Sequence, residues 1–159
     1  MRLKPCGKRD RIRGTVSVSE LRPDFSGIWE FNLEKSILRG PAPKRILVKI
    51  QHREPDLVQQ ILITHADGSK QRMRAEFRTG ASSENLLEGT TMQTRARWEG
   101  RELLLESTTE TSRRQMHYKD YWSLSSDGRT LTMEHRDDDL AGQISILEQA
   151  PMEELQFDE

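Results

Sequence analysis

Between Pro23 and Ala150 the chain alternates apolar and polar residues over stretch after stretch, and short turn signals interrupt the alternation. Phe25, Gly27, Trp29 and Phe31 fall on one parity, with Ser26, Ile28, Glu30 and Asn32 on the other. A period of two is that of a strand with one buried and one wet face. The same reading puts Ile46, Val48, Ile50 and His52 inward against Lys49, Gln51 and Arg53, and Met73, Ala75 and Phe77 inward against Arg72, Arg74, Glu76 and Arg78. Leu57, Gln59, Ile61, Ile63 and His65 form a less clean strand, because Val58 and Leu62 blur the contrast. In the second half the expected inward sets are Met92, Thr94, Ala96 and Trp98; Leu103, Leu105, Ser107 and Thr109; Met116, Tyr118, Asp120, Trp122 and Leu124; Leu131, Met133 and His135; and finally Ile144 and Ile146.

Glu54-Pro55-Asp56, Asp67-Gly68, Glu99-Gly100 and Asp127-Gly128 stand between these stretches. Glycine after an acidic residue supplies the positive φ that tight hairpins need, so each pair joins neighbouring antiparallel strands. Residues 80–89 read as a longer loop or a short edge strand, and residues 33–38 are long enough for one helical turn. About nine strand segments in sequence order predict an all-β fold, an antiparallel up-and-down meander closed into a barrel of about 8 to 10 strands.

Composition agrees with that architecture. A hydrophobic content of 33% is low for 159 residues, and a barrel tolerates it because half of each strand faces solvent. Lys+Arg 25 against Asp+Glu 26 gives a net charge of -1, which removes the simplest electrostatic argument for nucleic acid as a partner. The charge is unevenly spread. Arg2, Lys4, Lys8, Arg9, Arg11, Arg13 and Arg22 make residues 1–22 a flexible basic arm, residues 23–150 carry the barrel, and residues 151–159 form an acidic tail. With Cys6 as the single cysteine, neither an intramolecular disulfide nor a thiolate metal cluster can form. No apolar run reaches the roughly 18 residues of a transmembrane helix. As written, the sequence is expected in the cytoplasm; a start lying upstream would allow a periplasmic or secreted protein.

Phe25-Ser26-Gly27-Ile28-Trp29-Glu30-Phe31-Asn32, followed by Glu34-Lys35-Ser36 and Gly40-Pro41-Ala42-Pro43, resembles the opening of a group of bacterial lipocalin-like proteins. Trp98-Glu99-Gly100 with Leu103 to Glu106, and Trp122-Ser123-Leu124-Ser125-Ser126-Asp127-Gly128-Arg129-Thr130-Leu131-Thr132, resemble its later landmarks. Gly27-x-Trp29 is also the short motif of the wider lipocalin and calycin superfamily. The resemblance covers roughly residues 23–149. It implies a calycin-type barrel with a tendency to bind ligands and names no catalytic residue. It further implies that Trp29 closes the base of the barrel beneath an arginine from a late strand, Arg129 or Arg136.

The inward parity gathers a candidate ligand site of Trp29, Met92, Trp98, Tyr118, Asp120, Trp122 and Met133. Methionines and tryptophans make an adaptable lining for a small apolar or amphipathic molecule. An inward Asp120 needs a partner or a polar ligand, because a buried carboxylate is costly alone. A bulge that turns it outward would remove that need. An enzyme of the same fold would draw on Tyr118, Asp120 and His135, with Asp120 as general base; a third reading is an interaction module with a packed core. No P-loop, G-x-S-x-G, H-E-x-x-H or Rossmann glycine pattern occurs, and no cofactor is expected. His52, His65 and His135 share the inward parity, with His117 outside, but without paired spacing they do not make a metal site.

Overall fold

A computed structural model describes residues 22–38, 40–110, 114–137 and 142–151. The basic arm before Arg22 and the acidic tail after Pro151 lie outside the described residues. Ten antiparallel strands run in sequence order: β1 (Gly27–Phe31), β2 (Arg45–Arg53), β3 (Asp56–Thr64), β4 (Lys70–Arg78), β5 (Ala81–Leu87), β6 (Thr90–Glu99), β7 (Glu102–Glu110), β8 (Gln115–Leu124), β9 (Thr130–Asp137) and β10 (Gly142–Gln149). Every sequential pair is hydrogen-bonded except β4 and β5, and β1 pairs β10, so one sheet wraps into a nearly closed barrel. Among the described residues no helix is long and apolar enough to cross a membrane.

The turns behave as their residues require. In the β3–β4 turn Gly68 has φ +90°, and Asp67 Oδ1 accepts hydrogen bonds from the Ser69 amide (2.9 Å) and hydroxyl (2.6 Å). Asp127 repeats the device with the Ser125 hydroxyl at 2.6 Å and the Arg129 amide at 3.1 Å. These bonds, from Ser69 and Ser125 first, hold both carboxyls below their ordinary range. Residues 33–35 make a simple turn, with Lys35 N–H donating to the Asn32 carbonyl, instead of the expected helical turn. Ile37 then bridges Ile144.

The interior follows the period-two reading along most strands. Phe25, Trp29, Ile46, Val48, Ile50, Leu57, Ala75, Phe77, Ala96, Leu103, Leu105, Trp122, Leu131 and Leu147 form the main core. Leu62 blurs its strand because it is buried on the opposite face, where it packs with Ile28 and Leu47 in a second cluster. One strand departs from expectation. In β10 the inward side chains are Gln143, Ser145 and Leu147, which oppose His135, Met133 and Leu131, while Ile144 and Ile146 point the other way. Antiparallel partners share a face, so the inward parity of β9 dictates that of β10.

Residues 81–87 are an edge strand, and Glu88-Gly89 closes its hairpin with both φ angles positive, +53° and +81°. Across the seam to β4, a side chain stands in for the missing ladder. The Asn85 Oδ1 accepts from the Glu76 amide at 2.8 Å and its Nδ2 donates to the Glu76 carbonyl at 2.9 Å. Gln71 also donates to Glu88. Asn85→Ala is expected to cost about 1 kcal/mol, because the lost partners are solvent-accessible. Amide exchange measured by mass spectrometry should accelerate at Glu76 while β7 and β8 stay protected.

Candidate functional site

The chain reverses at alternate ends of the barrel, and the two ends differ in chemistry. At the end holding the β2–β3 and β6–β7 turns, Phe25 is fully buried, stacked on His52 (5.6 Å between ring centroids) and Trp98 (5.9 Å), with Trp122 edge-on at 5.6 Å. Trp29 Nε1 donates to the Phe25 carbonyl at 2.9 Å. The positive φ of Gly27, +142°, accounts for glycine two residues before the tryptophan. The Phe25 amide donates to His52 Nδ1 at 3.1 Å, so the ring proton sits on Nε2 and is donated to Glu54 at 2.7 Å. The guanidinium over this plug comes from Arg22, 5.4 Å above Trp98. Arg136, one of the two late-strand arginines expected there, instead lies over Tyr121 and pairs with Glu134, which corrects that expectation for Arg136.

Glu54 joins the plug through His52, Thr79 (2.8 Å) and Trp98 (3.2 Å). Burial raises its pKa, and the hydrogen bonds from His52, Thr79 and Trp98 together outweigh it, so the carboxyl titrates below its ordinary 4.5. A depressed folded-state value stabilises the protein at pH above the ordinary one, and that contribution disappears as pH falls through the folded value. Glu54→Gln is therefore expected to be less stable than the parent at neutral pH and to lose less on acidification below 4.5. Thermal melting across pH checks both.

Above the plug the barrel is hollow. Adjoining cavities of about 460, 220 and 420 Å³ share walls. The largest is bounded by Phe31, Ile46, Val48, Ile61 and Ile63 on one side and by Met133, His135, Gln143 and Ser145 on the other, with Leu38, Pro41 and Pro43 of the β1–β2 connection over it. The smallest runs between Met73, Ala75, Phe77, Leu87, Met92, Leu105 and Trp122. The third opens past Glu88, Thr90, Thr109 and Tyr118.

Asp120 lines all three cavities. It sits opposite His135 in the β8–β9 ladder, and its Oδ1 lies 2.7 Å from His135 Nδ1. Tyr118 stacks on the same imidazole at 5.4 Å. Thr94 and Ser107 form a buried hydroxyl pair 2.9 Å apart on the adjoining wall. Of the seven candidate site residues, Met92, Tyr118, Asp120, Trp122 and Met133 meet around these cavities; Trp29 and Trp98 do not, because both are built into the plug. Asp120 faces inward, without the bulge that would have turned it out.

Gln143 and Ser145 were missed as wall residues. Their signal was the antiparallel pairing of β9 with β10, which ties their parity to that of His135 and Met133. The three inward histidines each pair separately, His52 with Glu54, His65 with Gln71 and His135 with Asp120. Among the described residues no group of three metal-ligating side chains converges.

No protein-family model and no curated protein matches the chain. Solved structures do. A secretory abundant heat soluble protein from Ramazzottius varieornatus aligns at 12% identity over 82% of this chain and 98% of its own, with a TM-score of 0.61. A Schistosoma mansoni fatty acid binding protein in complex with arachidonic acid aligns at 11% identity over 82% of this chain and 99% of its own, with a TM-score of 0.59. Human cRBP IV aligns at 13% identity over 80% and 99%, with a TM-score of 0.55. At such identities the fold is what is shared, in this chain a ten-stranded antiparallel barrel.

Proposed function

We propose that the protein binds a small hydrophobic or amphipathic molecule inside the barrel. The observation that carries this reading is a hollow interior above a packed plug, walled by isoleucine and methionine and reaching the internal Asp120–His135 pair. Mostly apolar concave walls with a few convergent polar groups are what a small-molecule site requires. A structural neighbour holding arachidonic acid supports the same use of the fold. Met92, Trp122 and Met133 would contact the apolar body, with Tyr118 and Asp120 at its polar part; Trp29 and Trp98 would act only by holding the floor. Titration of the purified chain with Nile red, followed by native mass spectrometry, should give saturable one-to-one uptake. Absence of saturable uptake by folded protein would sink the reading.

One observation also favours catalysis on this barrel. A carboxylate 2.7 Å from an imidazole on a cavity wall has the geometry of a general-base pair. Under this second reading a p-nitrophenyl acyl ester is hydrolysed faster by the parent than by Asp120→Asn; equal rates end it.

A further inference from the structure

We infer that the polar group of the ligand is a hydrogen-bond donor, a hydroxyl or an amine on an apolar body, and that the cavity discriminates against carboxylates and phosphates. This rests on the binding reading above. It comes from the kind of charge the wall offers.

An anion taken into an apolar cavity must find a cation or several donors, since an unpaired buried charge costs more than an apolar body of this size regains. Among the described wall residues of the three cavities the basic side chains besides histidine reduce to Arg74. Arg74 stands on the outer parity of β4, is exposed, and is paired with Glu76. It is not aimed at a guest.

The polar centre of the wall is instead Asp120. Among the described residues His135 alone bonds to it, through Oδ1, so Oδ2 is left as an acceptor. The side chain is 26% exposed, accessible from the cavity and not sealed behind it. With an ionised carboxylate and one proton on the imidazole, the Asp120–His135 pair is singly negative; with one proton more it is neutral. Neither state carries net positive charge, and in both Oδ2 can accept from a donor. Gln59, Gln143, Ser145, Ser107, Thr109 and Tyr118 add amide and hydroxyl groups to the walls; each can meet a donor or an acceptor, so the charge of the Asp120–His135 pair sets the preference.

The test is a ranking of three amphiphiles of equal chain length, dodecanol, dodecylamine and dodecanoate, by Nile red displacement from the full chain below their micellar concentrations. Dodecanol and dodecylamine are expected to bind at least about tenfold more tightly than dodecanoate. Asp120→Asn should weaken the amine by about tenfold and leave dodecanoate unchanged or improved. Gln59→Lys, which sets a cation on the same wall, should reverse the ranking. Dodecanoate binding as tightly as the other two in the parent overturns the inference and leaves the binding reading standing. Dye uptake with displacement by none of the three also overturns it; absence of dye uptake removes the binding reading itself.

Discussion

Phe25→Ala is expected to lower the unfolding free energy by about 3–5 kcal/mol, the largest stability loss of any single truncation considered. The ring is fully buried between His52 and Trp98 with Trp122 against its edge, so its removal leaves a void bounded by three aromatic systems. Each aromatic contact adds about 0.5–1.5 kcal/mol beyond burial, and the plug cannot collapse because Trp29 and His52 are held by the Phe25 backbone. Urea unfolding followed by tryptophan fluorescence measures the loss. Leu86→Ser, at a side chain 68% exposed, should stay within about 0.5 kcal/mol of the parent. If Phe25→Ala does not fold, Phe25→Leu should fall between the two. A cost for Phe25→Ala no larger than that of Leu86→Ser would mean that the plug is not the packed unit described.

Ser145→Trp is expected to weaken binding of an apolar ligand by more than about 100-fold, or roughly 3 kcal/mol. Ser145 is 4% exposed, stands opposite Met133 and lines the 460 Å³ cavity, so an indole there occupies space that a ligand would need. Because the indole enters a cavity instead of a packed core, the melting temperature should change little, unlike the penalty of about 1–3 kcal/mol for overfilling a packed core. Calorimetric titration with dodecanol reads the affinity. Unchanged affinity would place the ligand elsewhere.

The barrel was legible in the sequence because most strands keep one wet face, and Asp67-Gly68 and Asp127-Gly128 mark their ends with residues that bond within the turn. Where the reading failed, the inside was polar. In β10 the wall side chains are Gln143 and Ser145, beside the Asp120–His135 pair, while isoleucines occupy the outward positions, so hydrophobicity pointed the wrong way. Ala81–Leu87 escaped definition for a related cause: Ser82, Ser83, Glu84 and Asn85 offer no apolar contrast. Trp29 and Trp98 shared parity with the cavity residues, yet parity carries no height along the barrel axis, and both belong to its floor. Pairing Asp120 with His135 required the β8–β9 register, which depends on where the Asp127-Gly128 hairpin closes.

The seam between β4 and β5 has a topological consequence. The spatial order β4-β3-β2-β1-β10-β9-β8-β7-β6-β5 becomes strictly sequential when β10 is joined to β1 and the chain is opened between Thr79 and Gly80. The join is short, because the Ala150 amide already donates to the Ile28 carbonyl at 2.8 Å. Such a circular permutant would turn the longest-range pairing in the barrel into a hairpin and keep every ladder. The contacts across the β4–β5 seam, Asn85 with Glu76 among them, become the long-range closure in its place, so the contact order stays about the same and stopped-flow refolding should run at about the parent's rate at similar stability.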